Sequence, residues 1–144
     1  MDVCSIMLAD DHVMFRKGVK RIIEETPNLK VVGEANDGLE LLRLLKAQEP
    51  KLVILDIAMP HLRGLEATRE IKKLYPRVKV ILLTMHRSKE FIQQALEAGA
   101  EGFLLKEDAD FDLLRAIDAV KEGKQYISPL LAPEMSDLAL RATP

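Results

Sequence analysis

Leu52-Val53-Ile54-Leu55 is the run that most narrows the folds open to this chain. Four consecutive apolar residues, two of them β-branched and none alternating with polar ones, predict a strand buried on both faces. Such a strand needs cover above and below, and the flanking sequence supplies it: apolar strand-like runs alternate with amphipathic stretches five times. The run ends in Asp56, and Met59-Pro60 marks a loop just beyond. A carboxylate there sits at the rim of a sheet, where an acid on its own reads as a turn former or helix cap. Its role depends on what else reaches that rim.

In chain order, the first strand is expected over Cys4–Ala9, stopping at Asp10-Asp11. Val13 to about Glu25 carries a helical stripe of Val13, Met14, Gly18, Val19, Ile22 and Ile23, with Pro27 beyond it. Leu29–Ala35 is a second, more polar strand, suited to an edge, and Asp37-Gly38-Leu39-Glu40 resembles a capping box opening a helix that Pro50 closes. After the central strand Leu52–Asp56, a helix is predicted from Gly64 to Tyr75 and a fourth strand over Val78–Thr84. Ser88 is a plausible cap for a helix ending at Gly99. Gly102–Leu105 is a short fifth strand ending at Lys106, and a last helix spans about Asp110–Glu122 with Gly123 as its stop.

Strands joined through helices require crossovers, hence an α/β fold with a parallel sheet and helices on both faces. Right-handed crossovers and five strands favour the doubly wound, flavodoxin-like order 2-1-3-4-5. One domain over residues 1–123 accounts for the periodic part, with 124–144 as a linker or an ordered tail in which Met135–Leu140 has the pattern of a helical turn or two. A chain of 144 residues buries enough surface to need no staple. Its single cysteine, Cys4, reads as a small buried hydrophobe and fits a reducing compartment. No signal-peptide core and no apolar run of membrane-spanning length is present, so a soluble cytoplasmic protein with no membrane partner is expected. With a net charge of −2 and no basic tract, this stretch has no feature for gripping nucleic acid by itself.

Ligands of open α/β sheets sit beyond the carboxyl ends of the strands, where the order reverses. That rim would receive Asp10-Asp11, Asp56, Thr84 and Lys106. Taken singly, the Asp pair reads as a cap, Thr84 as a strand end and Lys106 as a solvated lysine; their coincidence at one rim is the signal. Three carboxylates in one pocket repel each other unless a cation intervenes. A hard divalent ion such as Mg²⁺ suits so sparse an oxygen site. A threonine hydroxyl and a lysine ammonium opposite are donors for a dianion. These are the parts of phosphoryl transfer, with Asp56 as nucleophile, Asp11 and Asp56 at the metal, and Lys106 and Thr84 on the phosphoryl oxygens.

Met7-Leu8-Ala9-Asp10-Asp11-His12, Leu55-Asp56-Ile57-Ala58-Met59-Pro60, Gly64, Leu83-Thr84 and Phe103-Leu104-Leu105-Lys106 resemble the receiver domain of two-component response regulators. Finer features (ADDH, GEANDG, and GFLLK without a following proline) are most similar to the NarL/FixJ subfamily, whose output is a LuxR-type helix-turn-helix. The resemblance implies that Asp56 accepts a phosphoryl group from a sensor histidine kinase. It further implies Mg²⁺ held by Asp11, Asp56 and the Ala58 backbone carbonyl, with Asp10 acting through water. Thr84 and Phe103 would form the switch, Phe103 turning inward as Thr84 moves. The chain would be no enzyme beyond its own phosphoryl transfer and dephosphorylation, it could form a homodimer, and DNA would be reached only through an output domain beyond this stretch.

Three departures bear on the switch. Phe103 stands where the family often has tyrosine, Glu107 follows the lysine where proline is common and makes a cis bond there costly, and Ala58 and His86 stand where the lifetime of the phosphoryl group is set. His12 and His61 read as exposed loop residues. A hydrolase with an Asp nucleophile would need a second acid two residues on, where Ala58 stands. A receiver that binds partners without phosphorylation is the other rival, and a flavin-type site lacks its phosphate loop.

Overall fold

A computed structural model describes residues 3–131. Its strands are β1 (Cys4–Ala9), β2 (Leu29–Ala35), β3 (Leu52–Asp56), β4 (Lys79–Thr84), β5 (Gly102–Leu105) and β6 (Tyr126–Ile127). Between them run α1 (Val13–Glu24), α2 (Gly38–Ala47), α3 (Gly64–Leu74), α4 (Lys89–Ala98) and α5 (Ala109–Lys121). All pairings are parallel, in the order β2-β1-β3-β4-β5-β6. The doubly wound order 2-1-3-4-5 is therefore present with β2 at the edge.

The expected count of five strands is corrected to six. β6 is two residues long, too short to show any alternation. It is held by main-chain bonds, Tyr126 N–H to the Glu101 carbonyl and Ser128 N–H to the Phe103 carbonyl, both at 3.0 Å. The segment after it stays on the body of the domain, with Ser128 and Leu131 both fully buried. The Met135–Leu140 stretch lies outside the described residues.

The all-buried β3 divides the core by alternation. Val53 and Leu55 face α2, α3 and α4 among Leu41, Leu45, Ala67, Ile71 and Ile92. Leu52 and Ile54 face α1 and α5 among Val19, Ile23, Leu113 and Ile117. Each fully buried aliphatic side chain contributes about 1.5–3 kcal/mol relative to exposure, so a one-residue slip would exchange two whole layers. Cys4 is buried as expected, and burial pushes its thiol up.

Helix limits follow local signals. Asp37 Oδ1 accepts from Glu40 N–H at 2.8 Å, and Ser88 Oγ accepts from Phe91 N–H at 3.3 Å. Gly99 ends α4 in the left-handed region, φ 94°. α5 starts one residue earlier than its periodicity suggests, after a 3-10 turn over Lys106–Asp108. The Lys106–Glu107 peptide is trans, there being no cis bond among the described residues. α3 begins hard against the end of β3: a Cβ on Gly64 would lie 2.3 Å from the Asp56 carbonyl oxygen. Among the described residues no helix is long and apolar enough to cross a membrane.

Candidate functional site

The β1–β3 pairing places Ala9 beside Leu55, so the next residues, Asp10 and Asp56, leave the sheet together. Both are buried, at 3% and 2% exposure, whereas Asp11 lies on the open side. Lys106, next after β5, reaches across the strand ends with its side chain only 8% exposed. Its Nζ lies 2.8 Å from Asp10 Oδ2 and 3.2 Å from Asp56 Oδ2. The Phe15 ring, its centroid 4.7 Å from Nζ, gives the ammonium an aromatic face as well.

Asp56 Oδ1 accepts the Ala58 N–H at 3.2 Å. Burial pushes the Asp56 carboxyl up, and the neighbouring Asp10 charge adds to this; Lys106 and the Ala58 N–H pull the other way without cancelling it. Asp10 is anchored by the His12 N–H on Oδ1 at 2.8 Å, while its Oδ2 faces the Lys106 ammonium. Arg16, from the first turns of α1, steadies this corner by donating to the Asp10 carbonyl and to Asn36 Oδ1.

Asp10, Asp11, His12 and Asp56 each offer one ligand atom, all within 4.8 Å of one another. A pair of buried carboxylates plus an exposed one, converging on one point, is a donor set that a hard cation fits. His12 is where the structure adds to the sequence reading. It is a loop residue with a 57% exposed side chain, yet its Nδ1 is 3.2 Å from Asp10 Oδ1, 3.6 Å from Asp11 Oδ1 and 3.0 Å from Lys106 Nζ. The hint was its position directly after the two acids. His61 is exposed, at φ 67°, and does not join the cluster.

Thr84 ends β4 and is fully buried. Its hydroxyl oxygen accepts the His86 N–H at 3.1 Å, so the side chain is engaged with its own loop rather than with the acids. His86 and Ala58 line one groove of about 370 Å³ with Phe91 and Arg63. Phe103 is already inside the core at 1% exposure, packed with the α4 residues Ile92 and Ala95. The outward starting position that the resemblance implies for it is not the one seen.

A doubly wound sheet with acids from two neighbouring strand ends and a lysine bridging them defines a receiver-type architecture. The comparisons agree. The family model of the response regulator receiver domain matches residues 6–118, and the chain belongs to that family. It is 42% identical over 125 residues to the transcriptional regulatory protein DegU of Brevibacillus brevis, covering 86% of this chain and 52% of that one. To the response regulator UvrY of Escherichia coli K12 it is 36% identical over 132 residues, covering 92% of this chain and 61% of that one. The chain thus spans between half and two thirds of the length of these curated relatives. A two-component response regulator of the LuxR family from Aurantimonas sp. SI85-9A1 superposes with a TM-score of 0.91 at 36% identity, covering 96% and 99% of the two chains. The isolated receiver domain of RcsB from Salmonella enterica serovar Typhimurium, solved with the phosphomimetic BeF3⁻, superposes with a TM-score of 0.86 at 27% identity, covering 92% and 99%. These relatives place the chain with the NarL/FixJ-type receivers.

Proposed function

We propose that this receiver is a phosphorylation-dependent switch whose acceptor is Asp56. The observation that carries the reading is the convergence of Asp10, Asp11, Asp56 and Lys106 at one rim. In the transfer, a carboxylate oxygen of Asp56 attacks the phosphorus of a phosphohistidine on a sensor kinase. The phosphorus–nitrogen bond breaks, the imidazole nitrogen keeps the electron pair, and an acyl phosphate remains on Asp56. The Ala58 N–H and the Lys106 ammonium favour the ionised nucleophile against the burial that opposes it. Lys106 then moves from the carboxylates to the phosphoryl oxygens, and Thr84 gives up its bond with the His86 N–H to donate its hydroxyl to another.

Asp11, Asp56 and the Ala58 carbonyl would hold Mg²⁺, with Asp10 acting through water, the convergence of the acids being the fitting feature. Mg²⁺ when bound neutralises charge gathered on the incoming group. Because Phe103 already lies inward, we read it as the piece that locks the space Thr84 vacates. The domain is then no enzyme beyond turnover of its own phosphoryl group, and it works in the cytoplasm. Its output is transcriptional, exercised through a DNA-binding part beyond the receiver of residues 1–123 and the 124–144 segment, whose first residues extend the sheet as β6. RcsB, a structural neighbour, is seen in complex with DNA, and a homodimer would match two half-sites.

The experiment is incubation with Mg²⁺ and a small acyl-phosphate donor, followed by intact mass. Wild type gains one phosphoryl group and Asp56→Asn gains none. Steady phosphate release from simple monoesters points instead to a hydrolase, and a wild type with no adduct points to a receiver that binds partners unmodified.

A further inference from the structure

β5 is paired along one edge by β4, but along the other β6 meets it at only two positions, Gly102 with Tyr126 and Phe103 with Ile127. Leu105 lies past that short ladder and is fully buried, so its N–H needs a partner inside the protein. The partner is a side chain. Leu105 N–H donates to Ser128 Oγ at 3.1 Å, and Ser128 is itself 0% exposed. The N–H of the same serine donates to the Phe103 carbonyl at 3.0 Å. One residue therefore clamps β5 on both sides of Leu104, immediately before Lys106.

Two further ties hold the clamp. Tyr126 Oη donates to Asp112 Oδ1 at 2.9 Å, and Leu131 is fully buried in the same core cluster as Phe103. The segment that leaves the domain is thus bonded to the strand that delivers the lysine.

We propose that Ser128 is a positioning residue for Lys106, and that through it residues 126–131 respond to whether that lysine holds Asp56 or a phosphoryl group. The inference rests on Asp56 being the phosphoryl acceptor. A lysine gripping small oxygens must be placed to within about 0.5 Å, and Nζ can be no better placed than the backbone that carries it. Removing Oγ leaves the Leu105 N–H unpaired in the core, and the strand end relaxes to find another acceptor. Asp10, Asp11 and Asp56 leave from β1 and β3, so the backbone that carries the cation ligands keeps its place when the end of β5 relaxes, and a loosened Lys106 competes no harder for them. By reciprocity, whatever fixes the lysine also tightens the clamp.

The test titrates the full chain with Mg²⁺ alone and then with beryllofluoride in Mg²⁺ by calorimetry, alongside hydrogen exchange of residues 126–131. Ser128→Ala should weaken beryllofluoride binding about fivefold or more while leaving Mg²⁺ affinity within about twofold. Ser128→Cys, which keeps the size with a poorer acceptor, should fall between and carries the comparison if the alanine variant does not fold. Val19→Ala, a cavity in the opposite core layer, controls for general destabilisation and should move neither affinity. In wild type, beryllofluoride should slow exchange at 126–131. The proposal is overturned if the Ser128 variants bind beryllofluoride as wild type does, if Mg²⁺ and beryllofluoride affinities fall together, or if exchange at 126–131 does not change. A wild type that binds Mg²⁺ but takes up no beryllofluoride identifies the acceptor assignment as the failure, and this inference falls with it.

Discussion

Replacing Gly64 with alanine puts a methyl group where the end of β3 already is. The new Cβ would lie 2.3 Å from the Asp56 carbonyl oxygen and 2.7 Å from Ile57 Cα, both backbone atoms with no rotamer to escape into. Ordinary contact is about 3.5 Å, so the start of α3 must withdraw by about 1 Å. Overpacking of this kind costs about 1–3 kcal/mol. Alanine's helix propensity returns up to about 1 kcal/mol, leaving a net loss of up to about 2 kcal/mol. With a urea dependence of about 1–3 kcal/mol per M, the midpoint falls by roughly 1 M. Gly18→Ala is the matched control, in mid-α1 with nothing within 4 Å of the added carbon, and it should gain about 0.5–1 kcal/mol. Circular dichroism melts in urea give both numbers, and intact-mass kinetics should show slower adduct formation for Gly64→Ala alone. If the two alanine variants shift the midpoint equally, the close approach is not what Gly64 is there for.

Because the Asp56 carboxyl is raised, its ionisation costs native stability as pH climbs through the folded value; Asp56→Asn should therefore exceed wild type in urea stability at pH 7 without divalent cation, the gap closing below about pH 4. Mg²⁺ at a hundred times its Kd should then stabilise wild type by about 2.7 kcal/mol and Asp56→Asn far less, a difference that thermal melts resolve. At Glu34 burial opposes the charge, but the bonds from Lys20 at 3.0 Å and Arg16 at 3.2 Å outweigh it and hold the carboxyl below its ordinary 4.5. Its contribution is present above that value and lost as pH falls through the folded one; being partly exposed, Glu34→Gln should cost under about 1 kcal/mol at pH 7, with the cost vanishing in acid melts. Burial and its bond to Asp112 push the Tyr126 hydroxyl up to about 12, so Tyr126→Phe should cost about 1 kcal/mol at neutral pH, a deficit that disappears in melts taken from pH 10 towards 12.

The frame was legible because burial on both faces of β3 leaves few choices, and because Asp37, Ser88 and Gly99 mark helix ends by their own chemistry. The acids and Lys106 were legible for the same reason: strand ends in a parallel sheet share a rim. β6 was not, since two residues have no period and its hydrogen bonds lie in the backbone. Nor was the inward turn of the His12 ring, which depends on where α1 starts relative to β1. The position of Phe103 depends on how much space α4 leaves over β5, a quantity no local pattern encodes. Ser128 read as loop punctuation before Pro129, although its hydroxyl satisfies a buried main-chain donor.

Lys106 lying across Asp10 and Asp56 has a consequence for the resting protein. With an ammonium of its own between two sequestered acids, the domain carries a tethered counter-charge and does not depend on a dissolved cation to keep its acidic corner assembled. On the proposed function, a cation held there would serve the phosphoryl transfer rather than the fold.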